Sequence, residues 1–226
     1  AHYFYPDGVA AAILAKRLNL PLVITARGTD VNVLARLPHP GRRIAWAAER
    51  AASVITVSSR LKDVLVSLGV EGSKIAVLRN GVDTEVFRPI DQKTARLKLD
   101  LGDGPIAACV GNLVTEKGFE LAIEVIKNLE NWRLVLVGDG PRRNELERLA
   151  RNLGVLHRVR MLATMPQSEL SVLYSAADVL LLTSTREGWP NVVLESLACG
   201  TPVVSVDVGA VGEMLGSATV GRVVKS

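Results

Sequence analysis

Pro105-Ile-Ala-Ala-Cys-Val-Gly-Asn-Leu-Val-Thr-Glu-Lys-Gly118, running on into Phe119-Glu-Leu-Ala-Ile-Glu-Val-Ile-Lys-Asn-Leu129, is the stretch on which the fold turns. Ile106–Val110 is a short continuous apolar run, the mark of a parallel strand buried on both faces. A Gly-bounded polar loop follows it, and Phe119–Leu129 then reads as a helix. The same unit recurs downstream. Strands are expected at Arg133–Val137, Val159–Leu162, Val179–Leu182, Pro202–Val206 and Gly221–Val224. Helices are expected at Arg143–Asn152, Glu169–Ala176 with Ser168 as its cap, Pro190–Ala198 and, briefly, Gly209–Met214. Six strands alternating with helices predict an α/β doubly wound parallel sheet. Such sheets bind ligands beyond the carboxyl ends of the strands, where the strand order reverses.

Upstream the alternation is present but shorter. Pro6-Asp7-Gly8 signals a turn and Val9–Leu18 a helix. Pro21–Thr25, Ser53–Val57 and Lys74–Leu78 read as strands, Gly41–Ala51 and Leu61–Leu68 as helices. Ser58-Ser59 suits the start of the second of these, and Gly69 its end. Residues 79–83 are turn-rich, and 84–102 read as a linker with a short helix. Two domains follow, 1–83 as a partial Rossmann-like unit with three strands and 84–226 as a nearly complete one. The expectation is a fragment of a longer two-domain protein, lacking part of its first domain and a closing helix.

Composition narrows the classes. Of 226 residues, 48% are hydrophobic and 22% charged, which excludes a disordered tail. Aromatics are only 4%, so the core must be aliphatic. No apolar run is long enough to span a bilayer, and no secretory leader is evident. Cys109 and Cys199 make neither a disulfide framework nor a zinc site, in keeping with a reducing, cytoplasmic setting. The net charge of +4 is uneven, with +5 in residues 1–90 and −1 in the rest. The basic N-terminal part suits peripheral association with an anionic membrane face or an acidic substrate; an ordinary solvated surface accounts for it as well. Nucleic acid is not an expected partner, because no aromatic platform interleaves the basic residues.

The chemistry concentrates in Ser184-Thr-Arg-Glu187-Gly188-Trp189-Pro190-Asn191-Val192-Val193-Leu194-Glu195. Pro190 suits the first helical position, and nothing before it offers a capping oxygen. The first amides, near Asn191 to Val193, then lack a side-chain acceptor and favour an anion, phosphate above all. Glu187 precedes the helix. Glu195 lies one and a half turns in, and helical side chains lean toward the N-terminus. Carboxylates beside phosphate are unfavourable, so each is expected to accept from hydroxyl groups, and the ligand that carries both features is a nucleotide sugar. Two solvated glutamates near a turn are the alternative. In Gly111-Asn112-Leu-Val-Thr-Glu-Lys117-Gly118, Lys117 is placed to clamp a diphosphate. The loop is not a Walker A motif. Gly138-Asp139-Gly140-Pro141 resembles a dinucleotide fingerprint only in part and reads as a structural turn, with Asp139 bordering the nucleotide. Arg27 and Asp30 follow a buried strand. His2, His39 and His157 are scattered, so no metal site is expected. Cys199, at a helix end, reads as a small apolar residue.

Together these segments resemble the family 4 retaining glycosyltransferases of the GT-B fold. Glu187…Glu195, Gly111…Lys117-Gly118, Gly138-Asp139-Gly140-Pro141, Ala177-Asp178, Ala198-Cys-Gly-Thr-Pro-Val-Val204 and Asn80-Gly-Val-Asp83 carry the likeness. Tyr5-Pro-Asp-Gly8 and Arg27-Gly-Thr-Asp30 look like a bacterial subgroup that builds cell-envelope polysaccharides. The resemblance implies two Rossmann-like sheets and transfer of a hexose from a UDP- or GDP-sugar to an envelope glycan or lipid-linked acceptor, with no metal or other cofactor, at the inner face of the membrane. It implies Lys117 on the diphosphate, amides near Trp189–Val192 on phosphate or sugar, Glu187 on the sugar, Glu195 on the ribose and Met165 near the base. Two positions depart from the family. Asn112 stands where Arg is usual, and Arg27 stands where His is frequent, there facing the donor sugar. With part of the first domain missing, the chain is expected to bind nucleotide and transfer sugar poorly. An epimerase of the same fold, or a non-catalytic binding module, are the rival classes. The first lacks a convincing His, and the presence of both Glu187 and Lys117 disfavours the second.

Overall fold

Ten α-helices and nine strands make up the described part of the computed structural model, which covers residues 1–216 and 219–225. In chain order they are α1 (Val9–Leu18), β1 (Val23–Ala26), α2 (Thr29–Asn32), α3 (Pro38–Arg50), β2 (Ser53–Thr56), α4 (Ser59–Ser67), β3 (Ile75–Val77), α5 (Gln92–Lys98), β4 (Ile106–Val110), α6 (Phe119–Lys127), β5 (Arg133–Val137), α7 (Arg143–Asn152), β6 (Val159–Leu162), α8 (Gln167–Ala176), β7 (Val179–Leu182), α9 (Asn191–Ala198), β8 (Val203–Val206), α10 (Val211–Leu215) and β9 (Gly221–Val224). They form two compact units. The first is Ala1–Asn80 with Glu187–Pro190; the second is Gly81–Arg186 with the residues from Asn191 on. Among the described residues no helix is long and apolar enough to cross a membrane.

The second unit carries six parallel strands in the order β6-β5-β4-β7-β8-β9. The order runs outward from β4 in one direction and from β7 in the other, so the reversal lies between those two neighbours. Side chains of successive strand residues point to opposite faces. Ile106, Ala108, Val135, Val137, Leu180 and Leu182 meet α5, α8 and α9 on one face. Ala107, Cys109, Leu134 and Leu136 meet α6 and α7 on the other. Both faces are apolar and covered, as a parallel sheet requires. The core of this unit is mainly aliphatic as expected, with Phe87, Phe119 and Tyr174 as its buried aromatics.

The first unit has three parallel strands in the order β1-β2-β3. Phe4, Ile24, Ile44, Val54, Leu61 and Leu65 form its core. Ser58 caps α4 as anticipated, its Oγ accepting from the Leu61 amide at 3.2 Å. The buried Asp30 carboxylate accepts from the amides of Phe4 (2.8 Å), Gly28 (3.0 Å) and Arg27 (3.4 Å) and so fixes the turn that follows β1.

Several expected boundaries shift. Ser168 does not cap a helix: α8 begins at Gln167, after an extended Pro166, and Ser168 lies inside its first turn. Proline sets its own φ near −65° and lets the helix start at once after it. The third helix starts at Pro38 rather than Gly41, because a proline in the first turn gives up no helical hydrogen bond. Pro190 stands just before α9 rather than at its first position.

Candidate functional site

Two loops meet at the strand reversal in the second unit. The loop after β4 ends in a short 3-10 turn, Thr115–Lys117, closed by Gly118 at φ +58°. The loop after β7 lies against it. Thr183 Oγ1 donates to the Lys117 carbonyl (3.0 Å), and the Thr185 amide to the Glu116 carbonyl (2.8 Å). Arg186 pairs with the Glu116 carboxylate at 2.8 Å, both side chains partly exposed. Any Cβ at position 118 would strike the Thr183 carbonyl, so the approach of the two loops requires glycine there.

The loop after β5 is the third side. The Gly111 amide donates to the Val137 carbonyl (3.0 Å), and the Leu113 amide to the Asp139 carbonyl (2.9 Å). Gly138, at φ +147°, lies so close that a Cβ would run into the Gly111 carbonyl. Asp139 turns its Oδ1 onto the Gly140 amide at 2.8 Å. The glycines of this motif thus serve loop packing. The stem of Lys117 crosses Gly111, whose Cβ position lies 3.3 Å from the lysine Cε. The Lys117 side chain is therefore laid over the carboxyl end of β4 itself. Asn112 is half-buried in the same loop. Met165 and Val192 are partly buried against the core face that holds Leu180 and Leu182.

Glu195 projects from α9 and is partly buried. Tyr174 Oη, from α8, donates to its Oε2 at 2.8 Å. Burial raises the Glu195 carboxyl above the usual carboxylate range, and the Tyr174 hydrogen bond works against that rise. Burial, then the nearby Glu195 charge, raises the Tyr174 phenol. Ser184, two positions beyond Leu182, is buried with no hydrogen-bond partner among the described residues.

Arg27, Glu187, Gly188, Trp189 and Pro190 belong to the first unit. There Gly188 seats its backbone on Arg27-Gly28, with a Cβ at Gly28 only 2.9 Å from the Gly188 Cα. The Asn32 side-chain amide donates to the Glu187 carbonyl at 3.4 Å. Trp189 packs on the core of that unit. The Arg27 guanidinium reaches Asn80 Oδ1 (3.4 Å) and His2 Nδ1 (3.3 Å). Cys199 is buried near Ser171 Oγ at 3.6 Å, and burial raises its thiol, which leaves it a poor nucleophile. Sequence reasoning missed Tyr174 and the Glu116–Arg186 pair. The one hint for Tyr174 was its rarity, the lone aromatic of α8.

Comparison with known proteins follows the same division. Residues 91–226 match the family model described as glycosyl transferases group 1, and residues 1–86 the model for glycosyltransferase family 4. A putative teichuronic acid biosynthesis glycosyltransferase, TuaC, of Bacillus subtilis is 34% identical over 225 residues, covering 96% of this chain and 54% of its own. A D-inositol 3-phosphate glycosyltransferase of Acidothermus cellulolyticus is also 34% identical, covering 92% of this chain and 52% of its own. The chain thus spans about half the length of these curated relatives. In fold it is similar to Anabaena Alr3699/HepE in complex with UDP (TM-score 0.87, 24% identity, 96% of this chain and 62% of that one). It is equally similar to sucrose-phosphate synthase of Thermosynechococcus elongatus (TM-score 0.88, 24% identity, 99% and 59%).

Proposed function

The chain belongs to the group 1 glycosyl transferases, with a GT-B type fold, and on that premise we propose that it serves a retaining transfer of a hexose from a nucleotide-diphosphate sugar to an envelope glycan or lipid-linked acceptor. What supports the donor class is the joining of the β4 and β7 loops at the strand reversal, with Lys117 lying across Gly111. An ammonium there offsets the charge of a diphosphate. The first turn of α9, at Asn191 and Val192, adds the positive end of a helix dipole. Glu195 accepts from the ribose hydroxyls, and Met165 borders the base. Asp139, spent on its own loop, borders the nucleotide without gripping it. Glu187 accepts from hydroxyls of the transferred sugar and its carboxylate stabilises the cation that develops as the bond to the diphosphate breaks on the face where the acceptor attacks, while the amides after it offset the charge of the departing diphosphate. Arg27 meets the donor sugar or phosphate.

In this reading residues 1–83 are the acceptor-side domain and 84–226 the nucleotide-sugar domain. The acceptor class agrees with the teichuronic acid named for one relative. UDP-sugars head the donor test because a similarly folded protein was solved with UDP.

The test is a calorimetric titration of the chain with UDP, GDP and their hexose conjugates, with and without magnesium. One diphosphate sugar is expected to bind, and Lys117→Ala to weaken it by roughly 10- to 100-fold, the loss of a charge-assisted bond. Absence of binding across the panel, or indifference to Lys117→Ala, overturns the reading.

A further inference from the structure

Glu195 is a carboxylate in an awkward place. It is partly buried on α9, and burial favours its neutral form. Among the described residues its carboxylate has one hydrogen-bond partner, Tyr174 Oη at 2.8 Å, received on Oε2. The partner is itself held without slack. Tyr174 is fully buried, packs its ring against Phe87 at 6.1 Å between centroids, and its carbonyl accepts from Thr201 Oγ1 at 2.6 Å. A fully buried ring on an anchored backbone presents its hydroxyl at one point.

We propose that Tyr174 is a positioning residue for the donor nucleotide: its hydroxyl occupies Glu195 Oε2, holds the carboxylate in one rotamer, and leaves Oε1 as the edge that accepts from ribose. The inference rests on the reading of Glu195 as the ribose acceptor and adds the residue that makes it an acceptor. Without the phenol, a half-buried acid has no donor to hold its charge. It then takes up a proton more readily or swings toward water, and either change removes a fixed acceptor. A wholly structural tyrosine, filling space between α8 and α9, would leave the ribose contact untouched when only its hydroxyl is lost.

The experiment is a thermodynamic cycle on the 226-residue chain. Binding of the nucleoside diphosphate that the chain prefers, and of its 2′,3′-dideoxyribose analogue, is measured by calorimetry for the parent, Tyr174→Phe, Glu195→Gln and the double variant. Thermal unfolding of each is recorded alongside. Tyr174→Phe is expected to weaken the ribose nucleotide about tenfold, the size of one hydrogen-bonding contact, and the dideoxy analogue less than twofold. In the Glu195→Gln background the same change should have no further effect. Equal weakening of both ligands, or additivity in the double variant, overturns the positioning role. Weakening by Glu195→Gln but not by Tyr174→Phe does the same while sparing the ribose reading. Indifference to Glu195→Gln overturns the ribose reading and the inference with it, as does failure to bind either nucleotide.

Discussion

Gly138 shows how much of this site is backbone fitted to backbone. It sits at φ +147°, and the carbonyl of Gly111 fills the space where a side chain would start. Gly138→Ala is expected to lower stability by roughly 2–6 kcal/mol, from left-handed strain of about 1–3 kcal/mol and overpacking of similar size. Urea denaturation of the chain measures it. Native stability with lost nucleotide affinity would instead mean that this glycine serves ligand approach, as in a dinucleotide fingerprint. The sequence already marked the motif as a structural turn, because Pro141 and Arg143 break the fingerprint. What it could not reveal is the object packed against Gly138, which lies 27 residues back across a strand pair. The same holds for Glu195. Its distance from Pro190 made it a candidate, yet its Tyr174 partner comes from another helix, 21 residues away. Tertiary contacts of this kind leave no local pattern. The only trace is chemical: a buried tyrosine needs somewhere to put its hydroxyl.

At the scale of elements, the strands and helices were legible because buried parallel strands are continuous apolar runs and their helices follow at short intervals. Ile106–Val110, Arg133–Val137, Arg143–Asn152, Val159–Leu162 and Val179–Leu182 have the bounds read from the sequence. Helix starts shifted by up to three residues where proline allowed entry earlier or held it back, at Pro38, Pro166 and Pro190. Alternation alone does not give strand order, so the pairing of β4 with β7, and with it the meeting of their loops, came only from the fold. That meeting has parts of unequal weight. The Glu116–Arg186 pair is partly exposed and worth little in water. The Thr183 hydroxyl holds the carbonyl of Lys117, the residue that grips the diphosphate in the reading above. Glu116→Gln is therefore expected to change stability by less than about 1 kcal/mol and nucleotide affinity by under twofold. Thr183→Val should cost about 1 kcal/mol and weaken the nucleotide severalfold, since the lysine loop loses its tether. Equal effects of the two variants in paired denaturation and titration would refute this ranking.

For the whole molecule, the decisive fact is that the core is divided. Phe4, Ile24, Ile44 and Leu65 form one apolar cluster with the first sheet, while both faces of the second sheet have clusters of their own. Each unit thus has an apolar core of its own and is expected to melt as its own cooperative step. A ligand stabilises only what it binds in the folded state, by about 2.7 kcal/mol at a hundred times its dissociation constant. At roughly 2–4 °C per kcal/mol for a unit of this size, saturating nucleotide should raise one transition by about 5–10 °C. If Lys117, Glu195 and the start of α9 hold the donor, that transition belongs to the second unit. Scanning calorimetry with and without the diphosphate reads both steps at once, and the variants identify them: Ser58→Ala, which uncaps α4, lowers the first by the worth of one cap, about 1 kcal/mol, and Gly138→Ala lowers the second. A nucleotide-dependent rise confined to the step that Ser58→Ala moves would place the donor on the other sheet and undo the assignment of Lys117.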